Sequence, residues 1–439
     1  MRVLTVRRTL IALGALLVLG MAGACCRAFR HIVTHQEILA RTGNADAHSR
    51  YVKEWLLAGP LPSSWSASRT RTQNQQQALD GFAGYLQAAH YSVNGEKLTL
   101  YCGKGSFDEK HAKSANSRYQ HIINGKRPSR ILVAANLYNN EQILPNMAAQ
   151  LLELARILGP ERLFISIYEN GSQDRTKEML HMLGRALLSL NIPHSIETDR
   201  TERPKRRHRI EYMAELRNRA MEPLYRNGSM GFDKVVFVND VFFCAPDVLE
   251  LIHQAETQNA HMTCAEDFVF KHGSLSFYDT WVARDMLGRA FKTRQRNIAD
   301  DGGALAGQLH GRPFQVQCCW NGMSVIDARV FAGRKGIRFR RGADGECSAS
   351  ECSLLCNDMW ARGFGRLVVV PRVKVSYEMQ TRDHLRMPLH VPRSLPFSER
   401  QPEREIAFRS APESVYCHPL NSIGTTVPDG VPSFVPLAG

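Results

Sequence analysis

One stretch of the sequence decides the fold: Lys234-Val-Val-Phe-Val-Asn-Asp-Val-Phe-Phe-Cys-Ala-Pro-Asp-Val-Leu-Glu-Leu-Ile252. Residues 235–238 are β-branched or aromatic, which is typical of a strand buried on both faces of a parallel sheet. Ala245-Pro-Asp247 predicts the start of a helix, because proline and an acid both favour the first turn. Asn239 and Asp240 therefore stand at the carboxyl end of a strand, where open α/β sheets bind ligands.

Asp240 is the candidate metal ligand of this stretch. A carboxylate at a strand end, with little other charge nearby, suits a hard divalent cation that also binds a diphosphate. The alternative is an aspartate that caps the helix or ends a turn. A single aspartate is compatible with both interpretations.

Strands and helices alternate on the N-terminal side of this stretch. The predicted strands and helices cover residues 129–140, 142–158, 163–168, 176–190 and 194–198. This alternation predicts an α/β fold with a mostly parallel, doubly wound sheet flanked by helices. The first two strands end in polar residues, at 136–140 and 169–174, on the edge that also holds Asp240. The sequence therefore predicts a nucleotide pocket at this edge.

A further helix is predicted over Arg209–Met221, and Arg217 lies in the middle of its apolar stripe. An arginine in that position needs an anionic partner, because burying an unpaired charge is costly. The partner is either a buried structural aspartate, or a nucleotide phosphate or Asp240 itself. Asn218 is a neighbouring hydrogen-bonding group.

Aromatic and polar residues in the second half of the chain are typical of a sugar site. Trp281 and Trp320 stand among Asp279, Asp285 and Asn321. In sugar sites an aromatic ring packs against the sugar ring while carboxylates or amides bind the hydroxyl groups. The alternative is that both tryptophans belong to the core and have polar neighbours by chance.

Two more carboxylates are candidates for catalysis. Asp267 ends a predicted strand over residues 261–267, and the alternative is a solvated acid in a turn. Glu351 lies in the first turn of a helix that Ser348 or Ser350 can cap, and the alternative is an acid that only stabilises the helix dipole.

The N-terminal segment directs the protein to the secretory pathway. Residues 10–26 are apolar and flanked by arginines, which predicts a single-pass membrane anchor with residues 1–9 in the cytoplasm. A cleaved signal peptide is the alternative. The chain carries a formal net charge of +14 but no zinc-finger, recognition-helix or RNA-binding motif. We therefore expect a basic surface that faces phosphorylated molecules or a membrane, and no nucleic-acid partner.

Cysteines and sequons fit that compartment. Asn170 and Asn227 begin the two glycosylation sequons. Nine cysteines follow residue 26, and because nine is odd, at least one is free or bonded to another chain. Cys347, Cys352 and Cys356 lack the spacing of a structural zinc site, which favours thiols or disulfides.

Seven motifs between residues 129 and 377 resemble those of a known family. They are Leu132-Val-Ala-Ala-Asn, Ser166-Ile-Tyr-Glu-Asn-Gly-Ser-Gln-Asp-Arg-Thr, Glu215-Leu-Arg-Asn, Val238-Asn-Asp-Val-Phe-Phe, Thr280-Trp-Val-Ala-Arg-Asp, Cys319-Trp-Asn-Gly and Ser350-Glu-Cys-Ser-Leu-Leu-Cys. In this order they resemble the fungal cryptococcal α-1,3-mannosyltransferase and capsule-associated protein family, glycosyltransferase family 69.

The resemblance implies a GT-A-like, Rossmann-type domain over residues 128–378, which follows a stem at 27–127 and precedes a Pro-rich, poorly ordered tail at 379–439. It implies GDP-mannose as donor, a mannose-containing glycan as acceptor, manganese (Mn²⁺) or magnesium (Mg²⁺) as cofactor, and a type II anchor in the Golgi membrane. The expected reaction forms an α-1,3 linkage with retention. A xylosyl- or glucosyltransferase and a non-catalytic scaffold of a polysaccharide-synthesis complex are the alternatives.

The resemblance also assigns residues. Asp240 would bind the metal, although Phe242 stands where a second aspartate is expected. Donor-binding residues would be Glu169, Asn170, Arg217, Asn218 and Asn239. Acceptor-binding residues would be Trp281, Asp285, Trp320 and Asn321. Glu351 and Arg217, together with the strand-end Asp267 described above, are the residues predicted to act in catalysis. Because Asn170 would lie in the pocket, we expect its sequon to be unused and Asn227 to carry the glycan.

Overall fold

The computed structural model describes residue 102 and residues 118–199, 207–226, 231–293, 298–333, 335–386, 405–420 and 433–437. The predicted anchor at residues 10–26, most of the predicted stem and Asn227 lie outside these ranges. Within these ranges, no helix is long and apolar enough to cross a membrane.

A nine-stranded sheet forms the centre of the protein. Its strands are β1 (Ile131–Leu137), β2 (Leu163–Asn170), β3 (His194–Asp199), β4 (Lys234–Val238), β5 (Met262–Lys271), β6 (Ser274–Phe277), β7 (Phe314–Val316), β8 (Met323–Asp327) and β9 (Leu367–Ser376). Their order is β3-β2-β1-β4-β8-β5-β9-β7, and β6 pairs with β5 outside this path. Strands β3, β2, β1 and β4 are parallel to one another, β8 is antiparallel to both β4 and β5, and β9 is parallel to β5. Because β6 and β7 are antiparallel to their neighbours, six of the nine strands point the same way, so the predicted mostly parallel α/β sheet is confirmed.

Helices cover both faces of the sheet. They are α1 (Leu144–Leu158), α2 (Thr176–Ser189), α3 (Arg209–Ala220), α4 (Glu222–Arg226), α5 (Ala245–Thr257), α6 (Gly302–His310), α7 (Glu351–Ala361) and α8 (Thr381–Arg386). Alternate residues of β1 point to opposite faces: Ile131 and Val133 join the core under α1, α2 and α5, whereas Leu132 and Ala134 join the core under α3 and α7. This double burial explains why the strands are continuous apolar runs.

Strand β8 is absent from the pattern that the sequence predicts. It has only five residues, all buried, and it begins directly after Gly322. A run this short carries no periodic signal that separates a strand from a loop. Because β8 lies between β4 and β5, one intervening strand separates the end of β4 from the end of β5.

The C-terminal strap, residues 405–420, is also more ordered than its composition predicts. Arg284 Nε donates a hydrogen bond of 2.8 Å to the Tyr416 carbonyl oxygen, and a disulfide joins Cys347 to Cys417. The expectation of a poorly ordered tail therefore does not hold for this segment. A Pro-rich composition indicates that a segment lacks periodic structure of its own, but it does not report covalent attachment to the rest of the domain.

Four disulfides cross-link the described residues. They are Cys102–Cys244, Cys264–Cys319, Cys318–Cys356 and Cys347–Cys417. Cys352 is the one free cysteine of the described part of the chain, and it is buried. This agrees with the odd count and with the expectation of disulfides and thiols at residues 347, 352 and 356.

Candidate active site

Asp240 projects from a tight turn at the carboxyl end of β4. The Asn239 amide donates to the Gly322 carbonyl oxygen at 2.8 Å, and the Val241 amide donates to the Asn239 carbonyl oxygen at 2.8 Å. These bonds hold the turn, and the Asp240 side chain remains partly exposed. Among the described residues its carboxylate has one hydrogen-bond partner, the Asn140 amide at 3.4 Å. Asp240 therefore has oxygen lone pairs available for a ligand.

Arg217 is buried and bound to a carboxylate on another helix. Its Nε donates to Glu351 Oε1 at 2.8 Å, and its Nη1 donates to Asn239 Oδ1 at 3.2 Å. The guanidinium carbon lies 4.6 Å from the Trp320 ring centre and 5.0 Å from that of Phe237. The predicted need for an anion is met by Glu351, which is neither Asp240 nor an aspartate.

Glu351 is held in place from both sides. Ser350 caps α7 by accepting from the Cys352 amide at 3.3 Å, and its hydroxyl donates to Glu351 Oε2 at 3.2 Å. Glu351 is 3% exposed, and each of its carboxylate oxygens accepts a hydrogen bond, one of them from Arg217. These contacts fix the position of the Glu351 carboxylate at the start of α7.

A continuous chain of polar side chains runs from this ion pair through Asn239, the residue before Asp240. It consists of Glu351, Arg217, Asn239, Tyr377 and Asp267, and we call it the polar chain. Asn239 Nδ2 donates to the Tyr377 hydroxyl at 3.5 Å, and that hydroxyl donates to Asp267 Oδ2 at 3.3 Å. The residue before Asp240 is therefore fixed through contacts that reach α3, α7, β9 and β5.

Asp267 and Asp279 form a buried carboxylate pair at one end of the polar chain. The Asp279 amide donates to Asp267 Oδ1 at 3.1 Å, and Asp279 Oδ2 accepts from the Asn321 amide at 3.0 Å. Burial, and then the neighbouring Asp279 charge, raise the pKa of Asp267 well above its usual range. Burial also raises the pKa of Asp279. Asp267 is fully buried, so its contacts make it part of the framework of the site.

The ends of β1 and β2 present buried oxygens that accept no hydrogen bond. In the part of the chain that the structure describes, Asn136 Oδ1, Glu169 Oε2 and Asn170 Oδ1 are buried and accept no hydrogen bond. Lys177 Nζ lies 4.0 Å from Glu169 Oε2, which is an ion-pair distance. Buried polar atoms are normally hydrogen-bonded, so three such oxygens at one edge are consistent with a ligand that donates hydrogen bonds.

The loops that follow β1 and β2 bind each other. The backbone amides of Asn139, Asn140 and Glu141 donate to the side chains of Ser172, Thr176 and Asp174, at 2.9, 2.7 and 3.0 Å respectively. These bonds bring the two polar strand ends together, as the sequence predicts. Asn170 is 8% exposed, which leaves little room for a glycan in the folded protein.

Asn218 supports the site indirectly. Its Nδ2 donates to the Phe339 carbonyl oxygen at 2.8 Å, and its Oδ1 accepts from the Phe339 amide at 3.1 Å and from the Tyr225 hydroxyl at 3.0 Å. Phe339 in turn packs against Trp320, with ring centres 5.6 Å apart. Asn218 therefore holds the aromatic wall around Arg217, and both ends of its amide are occupied.

Trp320 and Asn321 lie at the site but are used within the protein. Trp320 is 2% exposed, and its Nε1 donates to Asn239 Oδ1 at 3.0 Å. Asn321 has a positive φ of 52°, and its Nδ2 donates to the Ala265 carbonyl oxygen at 2.8 Å. Trp320 and Asn321, which the sequence suggests as part of a sugar site, therefore help to order the turn at Asn239.

Trp281 and Asp285 lie in the segment after β6. Trp281 Nε1 donates to the His418 carbonyl oxygen of the C-terminal strap at 3.4 Å, and Arg209 lies 5.7 Å from its ring centre. Asp285 is fully buried and accepts four backbone hydrogen bonds. These come from the amides of Leu287, Arg289, Asp300 and Asp301. Asp285 therefore orders a loop, and its carboxylate has no free oxygen for an acceptor.

Three residues of the site are absent from the sequence-based assignment. They are Asn140, which contacts Asp240, Tyr377 of the polar chain, and Tyr278, which packs on Tyr377 with ring centres 4.7 Å apart. Asn140 is the last residue of the predicted strand at 129–140, and Tyr377 directly follows β9, so a polar residue at a strand end is the signal that points to them. Tyr278 has no comparable signal.

A divalent cation fits this site if Asp240 is its protein ligand. Among the described residues, no group of three or more histidine, cysteine, aspartate or glutamate side chains could hold a metal ion. Asp240 has the available carboxylate, whereas Asp267 and Asp279 accept hydrogen bonds through each of their oxygens. A cation here would take Asp240 as its protein ligand and most of its oxygens from a bound diphosphate or water.

Comparisons with known proteins agree with the resemblance seen in the motifs. A family model described as cryptococcal mannosyltransferase 1 matches residues 130–358, just over half of the chain. The α-1,3-mannosyltransferase CMT1 of Cryptococcus neoformans var. neoformans serotype D is 34% identical over 287 residues. That match covers 61% of this chain and 61% of the relative, so the chain spans under two thirds of the relative's length.

Two solved structures are more distantly similar. The mannosyltransferase PcManGT from Pyrobaculum calidifontis, in complex with GDP-Man and Mn²⁺, has 13% identity, a TM-score of 0.35 and 68% coverage of each chain. Residues 1–349 of Staphylococcus aureus TarS, in complex with UDP, have 13% identity and a TM-score of 0.34, with 56% of this chain and 60% of that chain covered. At these scores neither structure informs the ligands of this protein. The match over residues 130–358 carries the conclusion that the chain belongs to the cryptococcal mannosyltransferase 1 family.

Proposed function

We propose that this protein is a hexosyltransferase that moves mannose from GDP-mannose to a hydroxyl group of a mannose-containing glycan, forming an α-1,3 linkage with retention. The observation that carries the proposal is the position of Asp240. Its carboxylate is uncommitted at the end of β4, between the partnerless acceptor oxygens of β1 and β2 and the polar chain. Family membership supports mannosyl transfer, and the relative's name supports the α-1,3 linkage.

The donor nucleotide would lie over the ends of β1 and β2. Asn136, Glu169 and Asn170 offer acceptor oxygens, and a guanosine offers ring N–H groups and ribose hydroxyl groups that can donate to them. The diphosphate would extend toward Asp240. This is the GT-A-like arrangement, in which a strand-end carboxylate separates the donor side from the acceptor side.

Asp240 would hold Mn²⁺ or Mg²⁺ together with the diphosphate oxygens. The cation supplies Lewis-acid neutralisation of the negative charge on the departing diphosphate. Arg217 has its charge balanced by Glu351, and it contacts Asn239 rather than open space. We assign Arg217 and Glu351 as positioning residues that hold the Asn239–Asp240 turn.

The burial of Glu351 favours retention over inversion. An inverting transferase needs a general base that reaches the acceptor hydroxyl. Glu351 is 3% exposed and bound by Arg217 and Ser350, so it is poorly placed to take a proton from a substrate. Retention needs no base on the far face of the sugar.

We also propose that residues 10–26 anchor the protein in the Golgi membrane with the catalytic domain in the lumen. The apolar sequence between flanking arginines supports the anchor. Four disulfides support an oxidising compartment.

The test measures transfer by the full chain in detergent. Donors are GDP-mannose, UDP-xylose and UDP-glucose, the acceptor is α-mannobiose, and each is assayed with Mn²⁺ and with a chelator. We expect transfer from GDP-mannose that the chelator abolishes. Asp240→Ala is expected to lower the rate by a factor of about 100 or more without changing the melting temperature, because the side chain is partly exposed and weakly bonded.

Asp344→Ala is the matched control, because Asp344 is an exposed aspartate on a loop. Full activity of Asp240→Ala would contradict the assignment of Asp240 as the metal ligand. Transfer from another donor would change the sugar assignment and leave the site in place. A folded protein that neither binds GDP nor turns over any donor would overturn the enzyme proposal in favour of a scaffold.

A further inference from the structure

Tyr278 is an exposed aromatic side chain at the rim of the candidate active site. It follows β6, and 48% of its surface is exposed. By contrast, Trp320 is 2% exposed and Trp281 is tied to the C-terminal strap. Tyr278 is therefore better placed than either tryptophan to meet a ligand from solution.

The backbone of Tyr278 is fixed on both sides. Its amide donates to the Asp267 carbonyl oxygen at 3.0 Å, and its carbonyl oxygen accepts from the Thr280 amide at 2.8 Å. Its ring centre lies 4.7 Å from that of Tyr377, at an angle of 50° between the rings. Because this contact already restricts the Tyr278 side chain, a ligand that stacks on the ring immobilises few additional rotatable bonds.

The Tyr278 hydroxyl lies in the field of the site carboxylates. Burial of part of the side chain, and then the charges of Asp267, Asp240 and Asp279, raise its pKa. Lys271 Nζ lies 5.9 Å from the ring centre on another side. Tyr278 is therefore within electrostatic range of Asp240.

The sheet order places Tyr278 on the side opposite the nucleotide. The partnerless acceptor oxygens belong to β1 and β2, which lie on one side of β4. Tyr278 follows the β5–β6 hairpin, and β5 lies on the other side of β4, beyond β8. A group bound by Tyr278 therefore approaches Asp240 from the side away from the nucleotide.

We propose that Tyr278 is the stacking surface for the acceptor sugar. A pyranose ring of the mannose-containing acceptor packs its C–H face on the tyrosine ring, while its hydroxyl groups point toward the site. Aromatic rings present a large apolar surface of this kind at low entropic cost. The inference rests on the proposed function and adds a specificity-determining residue that the family motifs do not include.

The experiment compares Tyr278→Ala, Tyr278→Phe and Tyr278→Trp with the unaltered full chain. Three quantities are measured: GDP affinity, hydrolysis of GDP-mannose without acceptor, and KM for α-mannobiose in transfer. Tyr278→Ala is expected to raise the acceptor KM about tenfold, which corresponds to about 1.4 kcal/mol. GDP affinity and hydrolysis are expected to change less than the acceptor KM. Tyr278→Phe and Tyr278→Trp retain a KM within about twofold, since both keep a ring to stack on.

Phe434→Ala is the matched control, because Phe434 is 49% exposed and lies on a short ribbon, Ser433–Pro436, paired with Ser414–Cys417. It is expected to leave all three quantities unchanged. An unchanged acceptor KM in Tyr278→Ala would overturn the inference. A loss of GDP affinity equal to the change in acceptor KM would also overturn it, because the ring would then contact the donor.

Failure of the proposed function has a different signature. If the unaltered chain neither binds GDP nor transfers mannose, binding of α-mannobiose is measured directly by saturation-transfer NMR. Sugar binding that Tyr278→Ala abolishes would then support the stacking surface in a non-catalytic protein. Absence of sugar binding by the unaltered chain would overturn it.

Discussion

The two halves of the candidate active site are held together in different ways. The donor half, from β1 to β4, alternates strands with helices, and its loops bind each other through side-chain hydrogen bonds. The half that we propose binds the acceptor (the acceptor half), from β5 to the C-terminal strap, is irregular at 278–293, 298–301 and 335–350. It contains three of the four disulfides of the described residues. The first half is held mainly by regular packing, with the one disulfide Cys102–Cys244, whereas the second half carries more covalent cross-links.

A buried ion pair is one of the contacts that connect the halves. Arg217 belongs to α3 of the donor half, and Glu351 belongs to α7 of the acceptor half. Their side chains are 7% and 4% exposed. A buried pair of this kind adds little net stability relative to apolar residues, but the loss of one member leaves the other charged and buried. Substitutions at the Arg217–Glu351 pair can therefore test how the two halves are held together.

The largest expected effect follows Arg217→Ala. Glu351 would lose its cation while it stays buried, so we expect the free energy of unfolding to fall by about 3–5 kcal/mol. The double variant Arg217→Met with Glu351→Leu is expected to recover most of that loss. Denaturant unfolding monitored by circular dichroism measures both.

Arg219→Ala is the control on the same helix, because Arg219 is half exposed and pairs with Glu215 one turn away. Its expected cost is below about 0.5 kcal/mol. A cost for Arg217→Ala that is as small as this would show that the two halves are coupled by other contacts.

The next effect follows removal of the disulfide between Cys347 and Cys417. The double serine variant is expected to lose about 2–4 kcal/mol of stability, because the unfolded chain gains freedom. Hydrogen exchange measured by mass spectrometry should increase in the strap and around Trp281, which donates a hydrogen bond to the strap. The donor half should keep its protection.

Removal of the Cys102–Cys244 disulfide in the donor half provides the comparison. It should also destabilise the protein, but without faster exchange around Trp281. Equal changes in both halves after either substitution would contradict the division that we describe.

The smallest effect is a slope with pH. The pKa of Asp267 is raised in the folded state by burial and by Asp279, so the folded protein holds a proton that the unfolded chain releases above its ordinary value of 3.8. Stability should therefore fall as pH rises above that value, by at most about 1.4 kcal/mol per pH unit for one proton. Urea unfolding at a series of pH values measures the slope, and Asp267→Asn should reduce it. An unchanged slope in that variant would assign the proton to another group.

The donor half is the part of the fold that the sequence predicts well. Strands β1 to β4 and helices α1 to α3 begin and end within a few residues of their predicted positions, because strands and helices alternate there and the helices are amphipathic. The predicted need of Arg217 for an anion is also correct. Its partner is not predictable from local pattern, since Glu351 lies 134 residues away in the sequence.

The acceptor half is predicted less well for a physical reason. Sequence pattern marks Trp320 as aromatic but does not report which way its ring faces, and large aromatic residues usually have most of their surface buried. Strand β8 is as short as β4, but it contains Ser324 and ends in Asp327, so it does not form a continuous apolar run. The C-terminal strap is held by a disulfide and by side-chain contacts with distant residues, and its own composition does not show these.

The disulfide pattern has a consequence for how the protein reaches its folded state. Cys318 and Cys319 are adjacent, yet they bond to Cys356 on α7 and Cys264 on β5. If the chain were displaced by one residue at this point, Cys318 could bond to the partner of Cys319, or Cys319 to the partner of Cys318. Cys352, which has a free thiol, also lies one helical turn before Cys356. Eight paired cysteines allow about a hundred arrangements, so thiol exchange must select one of them. We therefore expect oxidative folding, rather than final stability, to limit the yield of active protein.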